Sequence, residues 1–169
     1  NEAVRRIASI ALVHETLSSG TDASVAFDDV LDRLVSHSLE LSSRMNELAI
    51  TRSGELGSLD SVVATPLSLV VTELIHNALE HGLEEGGSAL EILLERSATS
   101  ATISIIDNGV GLPEGFDLAT SSNLGLQIVR TLTENELRGE LQLITDDQQT
   151  RAILTFPIYA QRHQPKQIV

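Results

Sequence analysis

The sequence has no cysteine, no long apolar run and few basic residues, and each absence narrows what the chain can be. Without cysteine, neither a disulfide framework nor a thiolate metal site can form. No apolar run approaches the ~18 residues of a membrane-spanning helix, and no signal peptide is visible. The 11 Lys and Arg residues against 24 Asp and Glu residues give a formal net charge of −13. That charge argues against nucleic acid and anionic membrane as direct partners.

The remaining composition is that of one globular domain with its own core. The chain has 169 residues, of which 41% are hydrophobic and 21% charged, and these are ordinary values for a soluble protein. We expect a cytoplasmic location and, because the chain starts at Asn1, a piece of a longer protein. An anionic ligand would need local positive charge from a metal ion, backbone amides or a helix N-terminus.

The apolar pattern predicts helices and strands in an order that suits a two-layer α+β sandwich, with helices on one face of a mixed, largely antiparallel sheet. Asp28 and Thr65 are the predicted N-caps of the second and third helices, and Gly82 is the predicted stop of the third. A loop over 108–122 is long enough to be a functional lid. The predicted helices cover about 2–18, 28–42, 66–81 and 123–134, and the predicted strands 47–52, 89–96, 101–107, 140–145 and 151–158.

The third predicted helix carries a polar edge formed by Glu73, Asn77 and His81. Residues at i, i+4 and i+8 share a face, so a carboxylate, an amide and an imidazole line up. An amide oxygen suits Mg²⁺, and a carboxylate one turn earlier can accept a proton or orient a water. The ordinary alternatives are an amide bonded to a neighbouring loop, a solvated glutamate and a histidine that caps the helix.

A second polar segment, Asp107, Gly109 and Gly111, follows directly after an apolar strand. A carboxylate there can accept a hydrogen bond from the exocyclic amine of adenine, and the glycines let the backbone pass close to a ligand. The alternative is an ordinary Asp-Asn-Gly turn. No Gly-x₄-Gly-Lys-[Ser/Thr] sequence is present, which excludes a P-loop ATPase.

Together these segments resemble the N-box and G1-box of the ATP-binding domain shared by histidine kinases, Hsp90, MutL and type II topoisomerases. The resemblance implies the Bergerat ATP-binding fold. It assigns Asn77 to the Mg²⁺ that bridges the ATP phosphates and Asp107 to adenine. Gly109 and Gly111 then form the base pocket, and Glu73 becomes the candidate general base that assists the acceptor.

Further residues receive roles from the same resemblance. Ser122 to Arg130 resembles a reduced G2-box, which implies a simple phosphate cradle and a short lid; a plain helix start is the alternative. His81 closes the N-box near the phosphates, and Thr150 supports Asp107 through water. Glu80 stands where many of those kinases have lysine, and Gln149 precedes Thr150 where glycine is usual. The phosphate-supporting residues are Leu124, Gly125 and Leu126.

The stretch 4–17 resembles the end of the dimerisation helices in the histidine-kinase family called HisKA_2. We therefore expect a remnant of that helix over 1–20, the ATP-binding domain over 24–158 and a disordered tail over 159–169. In that family the phosphoacceptor histidine lies upstream, in a block that this chain lacks. His14 is followed by neither the cation nor the proline of the other large family's acceptor box, so we predict that it packs against a neighbouring element.

The resemblance implies a sensor kinase that transfers the γ-phosphoryl group of Mg·ATP to a histidine outside this chain. It also implies a homodimer and a response regulator as partner, possibly one with an RNA-binding output. Two alternatives stay open: an anti-sigma-factor serine kinase of the same superfamily, and a non-catalytic interaction module on this fold. The helix over 4–17 argues against the first, and nucleotide binding would argue against the second.

Overall fold

The structure, a computed structural model, describes residues 24–42, 47–83, 86–121, 123–146 and 149–158. These residues form seven strands, three α-helices and two π-helical turns, Ala78–Gly82 and Leu132–Glu136. The helices are α1 (Phe27–Glu40), α2 (Ser61–Asn77) and α3 (Leu124–Thr131). The strands are β1 (Ser24–Ala26), β2 (Ala49–Ser53), β3 (Ser58–Asp60), β4 (Ala89–Arg96), β5 (Ser100–Asp107), β6 (Glu140–Asp146) and β7 (Gln149–Pro157). The predicted helix over 2–18, His14 and the tail over 159–169 lie outside the described residues.

The main sheet has five strands in the order β2-β4-β5-β7-β6. Strands β2 and β4 are parallel, and the other neighbours are antiparallel. The α+β fold with a mixed, largely antiparallel sheet is therefore confirmed. Strands β1 and β3 form a separate antiparallel pair. The sequence analysis missed β3 because three residues are too few to show an alternating pattern.

One face of the sheet packs against the helices and forms the core. Alternate residues of the central strands are buried, as the two-residue period of a strand requires. These residues are Leu90, Ile92 and Leu94 of β4, Ala101, Ile103 and Ile105 of β5, and Ala152, Leu154 and Phe156 of β7. Helix α1 adds Phe27, Leu31 and Leu34.

Helix α2 runs through the core and is buried along most of its length. It continues into a π-helical turn, Ala78–Gly82, which the Leu83 N–H closes by donating to the Ala78 carbonyl at 2.8 Å. By length and composition the combined segment Ser61–Gly82 could cross a membrane, which corrects the expectation that no apolar segment of the chain approaches that length. Most of this segment is buried inside the domain. A helix in a protein core has the same length and composition, so its apolar residues are explained by packing in the core.

Two predicted N-caps were wrong. Helix α2 begins at Ser61, with Asp60 as N-cap, so Thr65 and Pro66 lie inside it. The proline leaves the Val62 carbonyl without its helical donor, and Val62 is 79% exposed, where water reaches it. Pro66 therefore does not mark the first turn of α2, because the helix begins five residues earlier, at Ser61.

Asp28 does not cap α1, because Ala26 occupies the N-cap position. Its carboxylate instead accepts the backbone N–H groups of Leu56 and Gly57 at 2.9 and 2.6 Å, and it lies 3.5 Å from the Arg52 guanidinium. These hydrogen bonds connect the first turn of α1 to the turn before β3. Local sequence could not predict this, since the partners are nearly thirty residues away.

Candidate functional site

A cleft of about 510 Å³ lies between the end of α2, the end of β5, the loop 108–121 and the start of α3. The floor and walls are mainly apolar: Leu74, Ala78, Ile105, Val110, Leu112, Pro113, Phe116, Leu126, Leu143 and Ala152. The polar lining residues are Asn77, Glu80, His81, Asp107, Ser121, Asn123 and Thr150, with Gly82 and Gly111. A mainly apolar cavity with a few convergent polar groups is typical of a small-molecule site.

Asp107 ends β5 at the bottom of the cleft and is only 3% exposed. Burial raises the pKa of its carboxyl group, and the hydrogen bond from the Gly109 N–H offsets part of that rise. This hydrogen bond measures 3.1 Å to Oδ1. An ionised carboxylate has about four acceptor positions, so Asp107 keeps capacity for a ligand donor. Thr150 stands directly opposite Asp107 in the β5–β7 register, which places both predicted residues side by side.

The two sequence motifs meet through their glycines. A Cβ atom on Gly109 would overlap the Gly82 carbonyl oxygen, and one on Gly82 would overlap the Asp107 carboxylate. The Val110 N–H donates to that same Gly82 carbonyl at 3.0 Å. Gly82 was predicted only as a helix stop. Its actual role is to let the end of α2 touch the loop that holds Asp107.

Gly111 needs to be glycine for a different reason. Its φ angle of +79° lies in the left-handed region, which side chains other than glycine rarely adopt. A Cβ atom there would also lie 3.0 Å from Cγ2 of Thr145. The next residue, Leu112, donates its N–H to Oγ1 of Thr145 at 2.9 Å. Strand β6 therefore fixes the loop as it leaves Asp107.

Asn77 ends α2 on the other side of the cleft. Its Nδ2 atom is buried, and no hydrogen-bond partner reaches it within the described residues. Such orphaned polar atoms are uncommon in folded proteins. The same ranges hold no group of three or more His, Cys, Asp or Glu residues suited to a metal ion. The Nδ2 group is a donor and suits an acceptor on a ligand, whereas the amide oxygen is the atom of Asn77 that Mg²⁺ would take, since that ion uses one or two protein oxygens and completes its shell with water and substrate phosphates.

The remaining predicted residues divide between the cleft wall and its surroundings. His81 is exposed and lines the cleft, whereas Glu73 is 9% exposed and is not among the lining residues. Leu126 lines the cleft, Gly125 is buried beside it, and Leu124 is 57% exposed. The structure thus brings six of the ten predicted residues to the wall: Asn77, His81, Asp107, Gly111, Leu126 and Thr150.

The start of α3 is well fixed. Asn123 caps it by accepting the Leu126 N–H on Oδ1 at 3.2 Å, a cap that the sequence analysis did not name. Further along α3, Arg130 donates to the Ala119 carbonyl at 2.7 Å, and Gln127 donates to the Ser121 carbonyl at 3.3 Å. The loop before α3 is therefore held by the helix that follows it. The N–H groups of a helix's first turn lack intrahelical partners, so this end of α3 offers donors to an anion.

Asn108 supports the loop beside the cleft, a role that the sequence analysis did not identify. Its Oδ1 atom accepts the N–H groups of both Ser88 and Ala89 at 2.8 Å. This arrangement joins the start of β4 to the residue that follows Asp107. The available signal was the preference of asparagine for side-chain hydrogen bonds in turns, but that signal does not identify partners about twenty residues away.

Comparison with known protein families gives two matches. Residues 62–160 match the family described as Histidine kinase-, DNA gyrase B-, and HSP90-like ATPase. Residues 1–42 match the HisKA_2 family, described as Histidine kinase. The first match covers more than half of the chain and includes every residue of the cleft wall.

Two curated relatives resemble the chain over most of its length. The sensor histidine kinase PdtaS of Mycobacterium tuberculosis is 46% identical over 142 residues, which are 83% of this chain and 28% of that protein. Blue-light-activated histidine kinase 2 of Erythrobacter litoralis is 26% identical over 168 residues, which are 94% of this chain and 47% of that protein. The chain thus spans between about a quarter and a half of the length of these relatives.

Solved structures share the fold. The histidine kinase domain from the Erythrobacter litoralis blue-light activated histidine kinase superposes with a TM-score of 0.80 at 21% identity, covering 94% of this chain and 75% of that one. The ATP binding domain of PrrB from Mycobacterium tuberculosis superposes with a TM-score of 0.66 at 24% identity, covering 82% of this chain and all of that one.

Proposed function

This chain belongs to the family of histidine kinase-, DNA gyrase B- and HSP90-like ATPases, and from that premise we propose that residues 24–158 are the ATP-binding catalytic domain of a sensor histidine kinase. The single observation that supports this most is the buried Asp107 carboxylate at the bottom of the cleft, with Gly82 and Gly109 packed against it. We assign residues 1–20 to the end of the dimerisation helix, in line with the HisKA_2 match over 1–42.

We assign the Asp107 end of the cleft to the binding of adenine. Asp107 accepts a hydrogen bond from the exocyclic amine, a donor that guanine does not present at the same position. Thr150 lies across the β5–β7 ladder from it and supports the carboxylate through a water. Gly111 lines the space for the base, and Gly109 shapes that space indirectly, because its missing Cβ lets the loop pack against the Gly82 carbonyl.

We assign the Asn77 end of the cleft to the binding of the phosphates. The Asn77 side chain would hold Mg²⁺ through its amide oxygen, and bound Mg²⁺ would neutralise negative charge on the phosphate oxygens. The backbone N–H groups of Leu124 and Gly125 would donate to phosphate at the start of α3. Leu126 packs beside them, and His81 reaches the same space from the opposite wall.

The reaction is transfer of the γ-phosphoryl group to a histidine outside this chain. The imidazole nitrogen forms a bond to the γ-phosphorus, the bond from that phosphorus to the β–γ bridging oxygen breaks, and ADP leaves. The proton of the attacking imidazole passes to a base, and Glu73 is kept as the candidate. Glu73 is buried one turn before Asn77 and outside the cleft wall, so the proton would have to reach it from the cleft. Positioning and charge neutralisation supply most of the catalysis in such transfers. Because the acceptor histidine lies outside this chain, we expect the chain to bind nucleotide without phosphorylating itself.

The partners follow from the same assignment. A homodimer would bring the acceptor histidine to this domain, and a response regulator, possibly one with an RNA-binding output, would receive the phosphoryl group. We place the kinase in the cytoplasm. The HisKA_2 match favours this reading over the anti-sigma-factor serine kinase, because that match concerns the histidine-kinase dimerisation region.

Calorimetric titration of Mg·ATP into the chain tests the assignment. The wild type should bind ATP with a micromolar Kd and should not bind GTP. Asp107→Asn should weaken ATP binding about a hundredfold, because the amide presents donors where the adenine amine also donates. Asp117→Asn is the matched control, since Asp117 is exposed and also accepts a backbone N–H, that of Ala119 at 2.9 Å. Binding of ATP and GTP alike would contradict the role of Asp107.

A further inference from the structure

The connection between α2 and β4 passes beside the loop that carries Asp107. It leaves the π-helical turn at Gly82 and enters β4 at Ala89. At its first end, a Cβ atom on Gly82 would overlap the Asp107 carboxylate, and the Gly82 carbonyl accepts the Val110 N–H at 3.0 Å. The position of Gly82 therefore limits how far the carboxylate can turn, because closely packed atoms leave little free volume.

Asn108 holds the other end of this connection. Its Oδ1 atom accepts the backbone N–H groups of Ser88 and Ala89, each at 2.8 Å, and its own N–H donates to the Ala89 carbonyl at 3.3 Å. The two backbones are also in close contact, since a Cβ atom on Gly87 would overlap the Asn108 carbonyl oxygen. The residue directly after Asp107 thus fixes the point at which the connection enters β4.

The hydrogen bonds of Asn108 differ from those of an ordinary turn asparagine. In an Asx turn the side chain accepts an N–H two residues further along its own loop, and here Asp107 makes that bond, to the Gly109 N–H at 3.1 Å. Asn108 instead uses both lone pairs of its amide oxygen for a segment about twenty residues away. Asn108 is also exposed, so packing in the core does not explain its place here.

We propose that Asn108 is a positioning residue that sets the preference of this cleft for adenine. By fixing the start of β4, it keeps Gly82 against the Asp107 carboxylate and so holds that carboxylate in one orientation. A carboxylate held in this way accepts the adenine amine and rejects a base with an oxygen at that position, whereas a mobile one accommodates either base. This inference rests on the proposed function, since it needs adenine to bind beside Asp107.

The test compares the Kd of Mg·ADP with that of Mg·IDP, the inosine diphosphate, whose base has a carbonyl oxygen in place of the adenine amine. The ribose and phosphates are identical, so the ratio of the two Kd values reports the recognition of the base alone. A smaller folded fraction weakens both ligands equally and leaves this ratio unchanged. The wild type should favour ADP, and Asn108→Leu should lower that preference about tenfold, mainly through weaker binding of ADP.

Asn108→Asp is the rescue variant, because its carboxylate restores an acceptor for both N–H groups and its charge acts on ADP and IDP alike. The ratio should return to near the wild-type value. Hydrogen exchange at the Ser88 and Ala89 amides, faster in Asn108→Leu, should slow again. Asn135→Leu is the matched control: it makes the same side-chain change at an exposed position of Leu132–Glu136, outside the cleft wall, and should leave the ratio unchanged.

If Asn108→Leu does not fold, Asn108→Ser takes its place, because a shorter hydroxyl side chain cannot accept both N–H groups. An unchanged ratio in a folded variant with faster exchange at Ser88 and Ala89 would overturn the proposal, since Asn108 would then support the loop without positioning Asp107. A ratio that stays low in Asn108→Asp after both amides regain protection would overturn it too. A wild type that binds no Mg·ADP, or binds ADP and IDP alike, would instead overturn the proposed function, so the two failures are distinct.

Discussion

At the Asp107 end of the cleft, backbone groups of two segments pack directly against each other, whereas the Asn77 end is formed by side chains. Gly82 and Gly109 touch, and Val110 adds a hydrogen bond between the same segments. Asn77, by contrast, keeps a buried amide nitrogen without a partner in the described residues. A pocket end built from backbone is fixed before a ligand arrives. The Asn77 end keeps an N–H donor that the described residues leave unused, which an acceptor on the ligand would complete.

The largest expected effect comes from breaking the backbone contact at the Asp107 end. In Gly109→Ala the new Cβ atom meets the Gly82 carbonyl, and neither backbone can move alone. We expect the free energy of unfolding, measured by urea denaturation, to fall by about 3 kcal/mol or more, and nucleotide binding to be lost.

The matched control is Gly115→Ala. Gly115 has a φ angle of +74°, but a Cβ atom there would meet nothing within 4 Å. Its cost should be about 1 kcal/mol, the strain of the left-handed conformation alone. Equal costs at the two glycines would mean that the close contact with Gly82 contributes nothing.

A smaller and opposite effect is expected when the buried charge at this end is removed. Burial raises the pKa of Asp107 in the folded chain, so the folded state holds a proton that the unfolded state releases. The stability linked to this group is complete below its unfolded pKa, near 4, and is lost as the pH rises through the folded pKa. The nucleotide-free Asp107→Asn variant should therefore melt at a higher temperature than the wild type at pH 7.

The pH series distinguishes this cause from a general gain in stability. The difference in melting temperature between Asp107→Asn and the wild type should grow from about pH 4 upward, because only the wild type has a charge to bury. Asn keeps an oxygen that can accept the Gly109 N–H, so the local turn is preserved. A difference that shrinks as the pH rises would show that the carboxylate stabilises the fold, and Asp117→Asn controls for loss of an exposed charge.

Sequence signals predicted the parts of this molecule that depend on local order. The apolar periods of α1, α2 and the central strands indicated a two-layer α+β fold, and the spacing of Asn77 and Asp107 indicated the cleft between them. The missing parts depend on contacts between distant segments. Asp28 binds the turn at Gly57, although its local sequence indicates a helix N-cap. Gly82 touches Gly109, although its local sequence indicates only the end of a helix. Glu73 is a further example. Its spacing from Asn77 predicted a place on the cleft wall, but in the folded chain Glu73 is buried and is not among the lining residues.

The smallest expected effect comes from Thr145, which holds the loop between the two ends by accepting the Leu112 N–H at 2.9 Å. Thr145→Val keeps the side-chain volume and removes the acceptor. Because Thr145 is exposed, water can replace much of the bond, and its loss should cost about 1 kcal/mol or less. Titration with Mg·ADP should show a Kd raised about threefold to fivefold, since the loop must be ordered when the base binds.

Thr145→Ser separates the hydrogen bond from the methyl contact of Thr145 with Gly111. Serine restores the acceptor but lacks the methyl group, so the Kd should return to the wild-type value. Weakening by serine without weakening by valine would instead assign the effect to the methyl contact, which valine keeps and serine lacks. The ratio of Kd values with and without Mg²⁺ should stay constant in both variants, because the loop contact belongs to the Asp107 side while the cation acts beside Asn77. A change in that ratio would mean that the two ends are coupled through the loop and do not form independent halves of the site.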